Sequence, residues 1–221
     1  MHIYSLPIHI CPLPRRTSFG MEVYLGGEEA ENGVDRDLTE LEVFLLDVSR
    51  RIDGMNGHCD RVAKLAANLA LRLGLASEMV FDVRKAGFLH DVGKIAVSAS
   101  ILKKPGALTA EEWHVVRQHP VVGEKLCAGV PGLASVLPII RHHHERFDGS
   151  GYPDGLRGSR IPLAARVLQI ADVFDALTEE RSYKPAFTPF LALEIMESEV
   201  ARGFWDPELF AEFQPTVLVV D

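Results

Sequence analysis

The sequence has few of the features that build disulfide-rich or membrane-spanning proteins. Its three cysteines, Cys11, Cys59 and Cys127, are widely spaced and form no CxxC pair. This pattern argues against both a disulfide framework and a thiolate zinc site. No apolar run approaches the roughly 18 residues that a membrane helix needs. We therefore expect no membrane span, and a reducing, cytoplasmic location.

Positive charge is also scarce. Lysine and arginine together number 23 against 31 acidic residues, which gives a formal net charge of −8. Binding to duplex nucleic acid usually requires a basic face, so a nucleic-acid polymer is not expected as a partner. A small anionic ligand is still compatible with this composition if basic residues gather locally.

The first 34 residues are predicted to be an irregular leader and linker. Pro7, Pro12 and Pro14 interrupt the apolar part of the leader, and residues 26–33 are acidic and rich in glycine. The structured domain is predicted to cover residues 35–215, and residues 216–221 are predicted to form a C-terminal tail.

Helical periodicity runs through almost all of this domain, so the fold is predicted to be all α. Helices are expected at 57–73, from about Ser77 to His90, from Thr109 to about His119, and at 121–128, 133–146 and 163–178. Thr109 to Glu112 reads as a capping box, while Thr188 and Asp206 each precede a proline at a helix start. The glycine-rich stretch 147–160 is predicted to be a loop. The first helix, 37–52, has apolar residues at 3-4-3-4 spacing, which suits packing within the chain or a homodimer seam: Leu38, Leu41, Leu45, Val48 and Ile52.

The most informative stretch is AGFLHDVGKI, residues 86–95, in which an apolar run leads into adjacent His90 and Asp91. Neighbours on a helix point about 100° apart, so this pair can share one metal ion only where the helix is ending. Gly93 is the residue type often found at such an end.

Several further histidines and one carboxylate extend this set. Asp172 lies on an otherwise apolar helix, where a carboxylate must be paired with an arginine or bind metal. Three histidines in a row, 142–144, span about 200° of helix, so at most two can converge on one centre. The sulfur-free set suits two ions bridged by one carboxylate, and its donors suit iron, manganese or zinc more than magnesium or calcium. Ligand type alone does not choose among these three metals, of which we expect iron or manganese. Its members are His58, His90, Asp91, His119, His143, His144 and Asp172.

These residues belong to a series of motifs that resembles the HD-GYP family, the bacterial cyclic di-GMP phosphodiesterases of the HD superfamily. The resemblance covers roughly residues 38–213. The motifs are HCDRV (58–62), HDVGKI (90–95), KKPGALTAEEW (103–113), His119, HHERFDGSGYPDGL (143–156), ADVFDALT (171–178), RSYK (181–184) and FWDPEL (204–209).

The resemblance implies a helical bundle of the HD type with a short glycine-rich GYP loop, and it implies roles for individual residues. One metal ion would be held by His58, His90, Asp91 and Asp172, and the second by His119, His143 and His144, with Asp91 bridging. Lys94 would reach the scissile phosphate, and Asp175 would orient water or a ligand. Arg181 and Lys184 would bind the other phosphate. Gly151 and Tyr152 would line the substrate site or contact a partner protein. His142 falls outside the pattern and is expected to be dispensable.

The expected reaction is hydrolysis of cyclic di-GMP to linear pGpG by a hydroxide that bridges the two metals, and the sequence leaves open whether pGpG is cleaved further to GMP. A third metal is not expected, because Gly54 stands where three-metal members carry glutamate. Two alternatives stay open at this stage. In the first, the chain is a catalytically weak cyclic dinucleotide sensor that binds a diguanylate cyclase through its GYP loop. In the second, it is a phosphohydrolase of another cyclic dinucleotide, such as cyclic GMP-AMP.

Overall fold

The computed structural model describes residues 40–52, 56–179 and 186–218. Within those ranges the regular structure is entirely helical, which confirms the predicted fold class, and no helix is both long and apolar enough to cross a membrane. The helices are α1 (Glu40–Ile52), α2 (His58–Arg72), α3 (Ser77–Leu89), α4 (Ala99–Leu102), α5 (Ala110–Val116), α6 (His119–Cys127), α7 (Leu137–His142), α8 (Leu163–Thr178), α9 (Pro189–Ala201) and α10 (Pro207–Val217), with short 3₁₀ turns at Val92–Ala96 and Gly158–Arg160.

The core is built on α2, α3 and α8. The crossing of α2 and α3 is close, because a Cβ atom added at Gly87 would lie only 2.5 Å from the Cα atom of Ala63. Helix α8 is apolar around most of its circumference, with Leu168 and Ile170 fully buried, so it runs through the middle of the bundle. A carboxylate on such a helix, like Asp172, is therefore held inside the protein.

Capping residues set several helix starts as the sequence predicts. Thr109 and Glu112 form a complete capping box at α5, and the side chains of Thr188 and Asp206 accept backbone N–H groups at the starts of α9 and α10. Helix α3 begins at Ser77, as predicted, and Ala76 is its N-cap.

Two predicted helices are shorter in the structure. Helix α5 ends at Val116, and α6 begins at His119, because Pro120 lacks the N–H group that would continue the first helix. The predicted helix 133–146 is reduced to α7, Leu137–His142. Beyond it, the carbonyl of His144 accepts the N–H of Tyr152, so the backbone there already bonds to the following loop. Helix α10 continues to Val217, into the predicted tail.

Candidate metal centre

The candidate ligands lie mainly at helix ends that point to one place. His58 begins α2, His119 begins α6, and His90 and Asp91 follow directly after α3. Asp91 has φ −96° and ψ 0°, which lies outside the helical region. This turn of the backbone brings two adjacent side chains to the same centre, as expected for a helix end.

One group of donors consists of Asp91, His119, His143 and His144, which each offer an atom within 4.8 Å of the others. The Nε2 atom of His119 lies 3.2 Å from Asp91 Oδ1 and 3.3 Å from His143 Nε2. Three imidazoles and a carboxylate at this spacing can hold one divalent cation.

A second group consists of His58, His90 and Asp172. Asp172 Oδ1 lies 3.3 Å from His58 Nε2 and 3.8 Å from His90 Nε2. The other oxygen of Asp91, Oδ2, lies 3.4 Å from His90 Nε2. The Asp91 carboxylate therefore stands between the two groups, with one oxygen toward each.

Three of the histidines are oriented by the main chain. The Nδ1 atoms of His90, His119 and His143 lie 2.7–2.8 Å from the carbonyl oxygens three residues earlier, at Gly87, Val116 and Ile140. These carbonyls belong to final helical turns, where they lack a helical partner. Because Nδ1 must donate to a carbonyl, the lone pair in each neutral ring is on Nε2, the atom that faces the other donors.

The donor set fits metal ions better than it fits the bare protein. His90 Nε2 and Asp91 Oδ1 are buried, yet neither makes a protein hydrogen bond. Leaving such groups unpaired costs roughly 1–3 kcal/mol each. Burial and the neighbouring histidines lower the pKa of His144 to about 3, and they lower the pKa of His143 well below its usual range. Both rings are therefore neutral at pH 7, the state in which imidazole binds a metal.

Asp91 remains ionised in this setting. Burial raises the pKa of its carboxyl, but the charge of Lys94 and the contacts with the neighbouring histidines outweigh burial and hold the pKa well below its usual value. The ammonium group of Lys94 donates directly to Asp91 Oδ2. Lys94 thus lies at the centre, as its position in the motif predicts.

Asp175 lies behind His58 rather than in the cavity wall. Its Oδ2 atom is 2.7 Å from His58 Nδ1, and its Oδ1 atom accepts Arg61 Nε at 2.6 Å. Burial raises the pKa of Asp175, but its bonds to His58 and Arg61 lower the pKa by more than burial raises it. The pKa is therefore below its usual value. Asp175 is thus placed to orient His58, and its expected role of orienting water or a ligand stays a prediction.

Gly93 is required for a different reason from the one its position suggests. It does not have the positive φ of a helix C-cap glycine. A Cβ atom added there would lie 1.9 Å from the carbonyl oxygen of His119 and 2.5 Å from the backbone nitrogen of Gly123. The absence of a side chain lets the turn after α3 pack directly on the start of α6.

The GYP loop folds back over the same centre. A Cβ atom at Gly151 would lie 2.2–2.5 Å from the backbone of residues 145 and 146, so only glycine fits there. The ring of Tyr152 lies 4.9 Å from that of His144, centroid to centroid. Both oxygens of the buried Glu145 accept N–H groups of the loop, from Asp154 and Leu156. Tyr152 thus lines the cavity, and its expected contact with substrate or with a partner protein stays a prediction.

His142, the remaining histidine of the run 142–144, points away from the centre. His142 Nδ1 lies 2.9 Å from the Pro138 carbonyl, and its Nε2 lies 2.9 Å from Asp154. Both ring nitrogens are therefore already bonded to protein atoms. This agrees with the expectation that His142 takes no part in the centre.

A cavity of about 690 Å³ opens over the donors. Sequence reasoning missed three arginines in its wall, Arg117, Arg146 and Arg202, because none is in a spacing that marks a ligand site. The predicted phosphate ligands Arg181 and Lys184, the leader 1–34 and Gly54 lie outside the described residues.

The comparisons with known proteins agree with this geometry. A family model described as HD domain matches residues 45–209. The chain is 41% identical over 175 residues to the cyclic di-GMP phosphodiesterase response regulator RpfG of Xanthomonas campestris, which covers 78% of this chain and 46% of the relative. It is 39% identical over 155 residues to the 3′3′-cGAMP-specific phosphodiesterase 3 of Vibrio cholerae, covering 70% of this chain and 34% of the relative.

A solved structure, Bd1817, an HDG"Y"P protein from Bdellovibrio bacteriovorus, matches with a TM-score of 0.60 at 19% identity, over 79% of this chain and 59% of that one. This likeness supports the fold. The chain spans less than half the length of the two curated relatives. The family model covers most of the chain and includes every candidate ligand, so this chain belongs to the HD domain family, as its resemblance to HD-GYP proteins predicts.

Proposed function

We propose that this chain is a metal-dependent phosphodiesterase that hydrolyses cyclic di-GMP to linear pGpG. The observation that carries the proposal is the position of Asp91, whose two oxygens face two separate groups of buried histidines. Water would supply the new P–O bond, and the P–O3′ bond would break. The name of the Xanthomonas relative supports this substrate.

In this proposal one ion is held by His58, His90, Asp91 and Asp172, and a second by Asp91, His119, His143 and His144. We propose iron or manganese, with zinc also compatible, since nitrogen and oxygen donors suit all three better than they suit magnesium or calcium. When bound, two such ions lower the pKa of coordinated water and neutralise charge on the phosphate. A third ion is not expected, because Gly54 offers no side-chain donor.

The chain's own residues hold and neutralise the substrate. Lys94 bonds to Asp91 and lines the cavity. In this proposal it would bring an ammonium group to the scissile phosphate and would protonate the leaving 3′ oxygen. Arg181 and Lys184 would bind the second phosphate, since their donors match phosphate oxygens. Asp175 acts as a positioning residue that holds His58 in its ligand orientation.

A second candidate substrate is 3′3′-cGAMP, which the name of the Vibrio relative favours. The two substrates differ in one base, so the metal centre treats them alike. Discrimination between them must come from the walls of the cavity rather than from the ligands.

The test is to incubate purified, metal-analysed protein with cyclic di-GMP, 3′3′-cGAMP and cyclic di-AMP and to resolve the products by chromatography. We expect pGpG from cyclic di-GMP. The Asp91→Ala variant should lose both bound metal and turnover, because it removes the shared ligand. Full activity of this variant, or no turnover of any cyclic dinucleotide by the metal-loaded wild type, would refute the proposal.

Two partner proteins are also proposed. A diguanylate cyclase would bind the GYP loop, and a second copy would pack on α1, where Leu41 and Phe44 are 46% and 59% exposed. Leu45 and Ile52 of the predicted seam are buried within the chain, so the proposed interface is the exposed face of α1. Light scattering on the purified chain tests the homodimer, and a Phe44→Glu variant should be monomeric if this exposed face forms the interface.

A further inference from the structure

One end of the cavity carries charged groups that the metal centre does not use. Glu199 and Arg202, from the C-terminal end of α9, line it together with Arg146 and the aromatic residues Phe204 and Trp205. The guanidinium carbon of Arg146 lies 3.9 Å from the centroid of the Phe204 ring, and that of Arg202 lies 4.3 Å from it.

Opposite charges here are close but do not pair with each other. Both arginines are near Glu199, yet among the described residues neither forms a salt bridge with it or with any other carboxylate. The arginines stack on an aromatic ring instead. Glu199 accepts the indole N–H of Trp205 at 2.9 Å through Oε2. This bond fixes the direction of the carboxylate and uses only one of its roughly four lone-pair sites.

A fixed carboxylate beside uncommitted guanidinium donors matches the edge of a guanine base. Guanine presents N1–H and N2–H donors on one edge, which a carboxylate accepts, and O6 and N7 acceptors on the other, which arginine recognises. Adenine has no N2 amine, and its N1 atom is a hydrogen-bond acceptor. In the same position, the lone pair of N1 would face the lone pairs of the carboxylate, so no hydrogen bond could form there.

We infer that this end of the cavity is a guanine-binding subsite, in which Glu199 accepts hydrogen bonds from the base and Arg146 and Arg202 donate to it. The inference deepens the proposed function, on which it rests for the substrate class. It assigns the choice between guanine and adenine to side chains away from the metal ligands.

The decisive experiment compares cyclic di-GMP with cyclic di-IMP, whose hypoxanthine bases lack only the N2 amine. Binding to the full-length chain is measured by calorimetry in chelator, so that no turnover occurs. The wild type should bind cyclic di-GMP at least about tenfold more tightly, since one hydrogen bond to a charged group is lost with the amine. The Glu199→Gln variant should bind the two compounds with nearly equal affinity.

The matched control is Glu197→Gln, an exposed acid on the same helix that does not line the cavity, and it should keep the wild-type ratio. Trp205→Phe provides a second route, because it removes the N–H that fixes Glu199 while keeping an aromatic ring. It should reduce the ratio even if Glu199→Gln fails to fold.

The outcomes separate this inference from the proposed function. If the wild type prefers cyclic di-GMP in chelator but hydrolyses nothing with metal, the guanine subsite is supported and the proposed phosphodiesterase activity is refuted. If the wild type hydrolyses cyclic di-GMP but Glu199→Gln keeps the wild-type binding ratio, the proposed activity is supported and the guanine subsite is refuted. A wild-type ratio near one would also overturn it.

Discussion

Two parts of the molecule each contain an aspartate that contacts one histidine and one arginine, although through Nδ1 of the histidine in one case and through Nε2 in the other. At the metal centre, Asp175 binds His58 at 2.7 Å and Arg61 at 2.6 Å. At the surface, Asp154 binds His142 at 2.9 Å and Arg141 at 2.7 Å. The difference lies in the second nitrogen of each histidine. In His142 it faces a backbone carbonyl, whereas in His58 it faces Asp172, 3.3 Å away.

This comparison shows that an Asp–His–Arg arrangement does not by itself mark a functional site. It orients an imidazole, and the use of that imidazole depends on whether a nitrogen is left for a ligand. The surface arrangement therefore serves as an internal control for the one at the metal centre.

The largest contrast is expected from removing the histidines themselves. His58→Ala should lower metal affinity by more than about 100-fold, because a ligand is lost outright and not merely misoriented. His142→Ala should bind metal like the wild type. Metal content by mass spectrometry of dialysed protein checks both, and equal metal loss in the two variants would contradict the assignment.

A smaller contrast is expected from the carboxylates. Asp175→Asn should lower metal affinity or turnover about 10- to 100-fold, the usual effect of losing the partner that orients a ligating histidine. Asp154→Asn should leave both unchanged. Titration with manganese followed by activity assay measures the difference, and a wild-type affinity in Asp175→Asn would show that His58 needs no side-chain support.

The smallest contrast is expected from the arginines. The Arg61 side chain is 42% exposed, so its ion pair with Asp175 is weakened by solvent. Arg61→Ala should change metal affinity less than tenfold, and Arg141→Ala should not change it at all. The same titration serves here, and an Arg61→Ala effect as large as that of Asp175→Asn would mean that the two residues act as one unit.

Acid provides a test of the surface arrangement alone. In this arrangement, the hydrogen bonds from Arg141 to Asp154 lower the pKa of the Asp154 carboxyl to about 2. The small stabilisation it gives is present above the ordinary pKa of about 4 and is lost as the pH falls toward 2. As the pH is lowered from about 4 to about 2, the thermal unfolding temperature should therefore fall less steeply in Asp154→Asn than in the wild type. Identical slopes would show that the pair contributes nothing, as is common for exposed ion pairs.

The positions of the ligands were predictable where chemistry conflicts with packing. Asp172 stood out because a carboxylate on an apolar helix needs a partner, and the His90–Asp91 pair stood out because it requires a helix end. Both features depend on local sequence, and the structure brings these residues together. The predicted bounds of α8, 163–178, also match the structure.

Features that depend on contacts between distant segments were not predictable. The need for glycine at position 93 comes from the backbone of α6, and the stacking of Arg146 on Phe204 joins residues far apart in the chain. A single sequence carries no periodic signal for such contacts. The same holds for the Nδ1 bonds of His90 and His143, which are fixed by where each helix stops.

The close contact between Gly93 and His119 also bears on how metal ions enter and leave. Because backbone packs on backbone there, the distance between the turn that carries Asp91 and the helix that carries His119 is fixed by the fold. The candidate ligands are therefore preorganised, and we expect metal ions to enter and leave without unfolding of the chain. A chelated sample should therefore accept manganese, iron or zinc in turn with no change of fold.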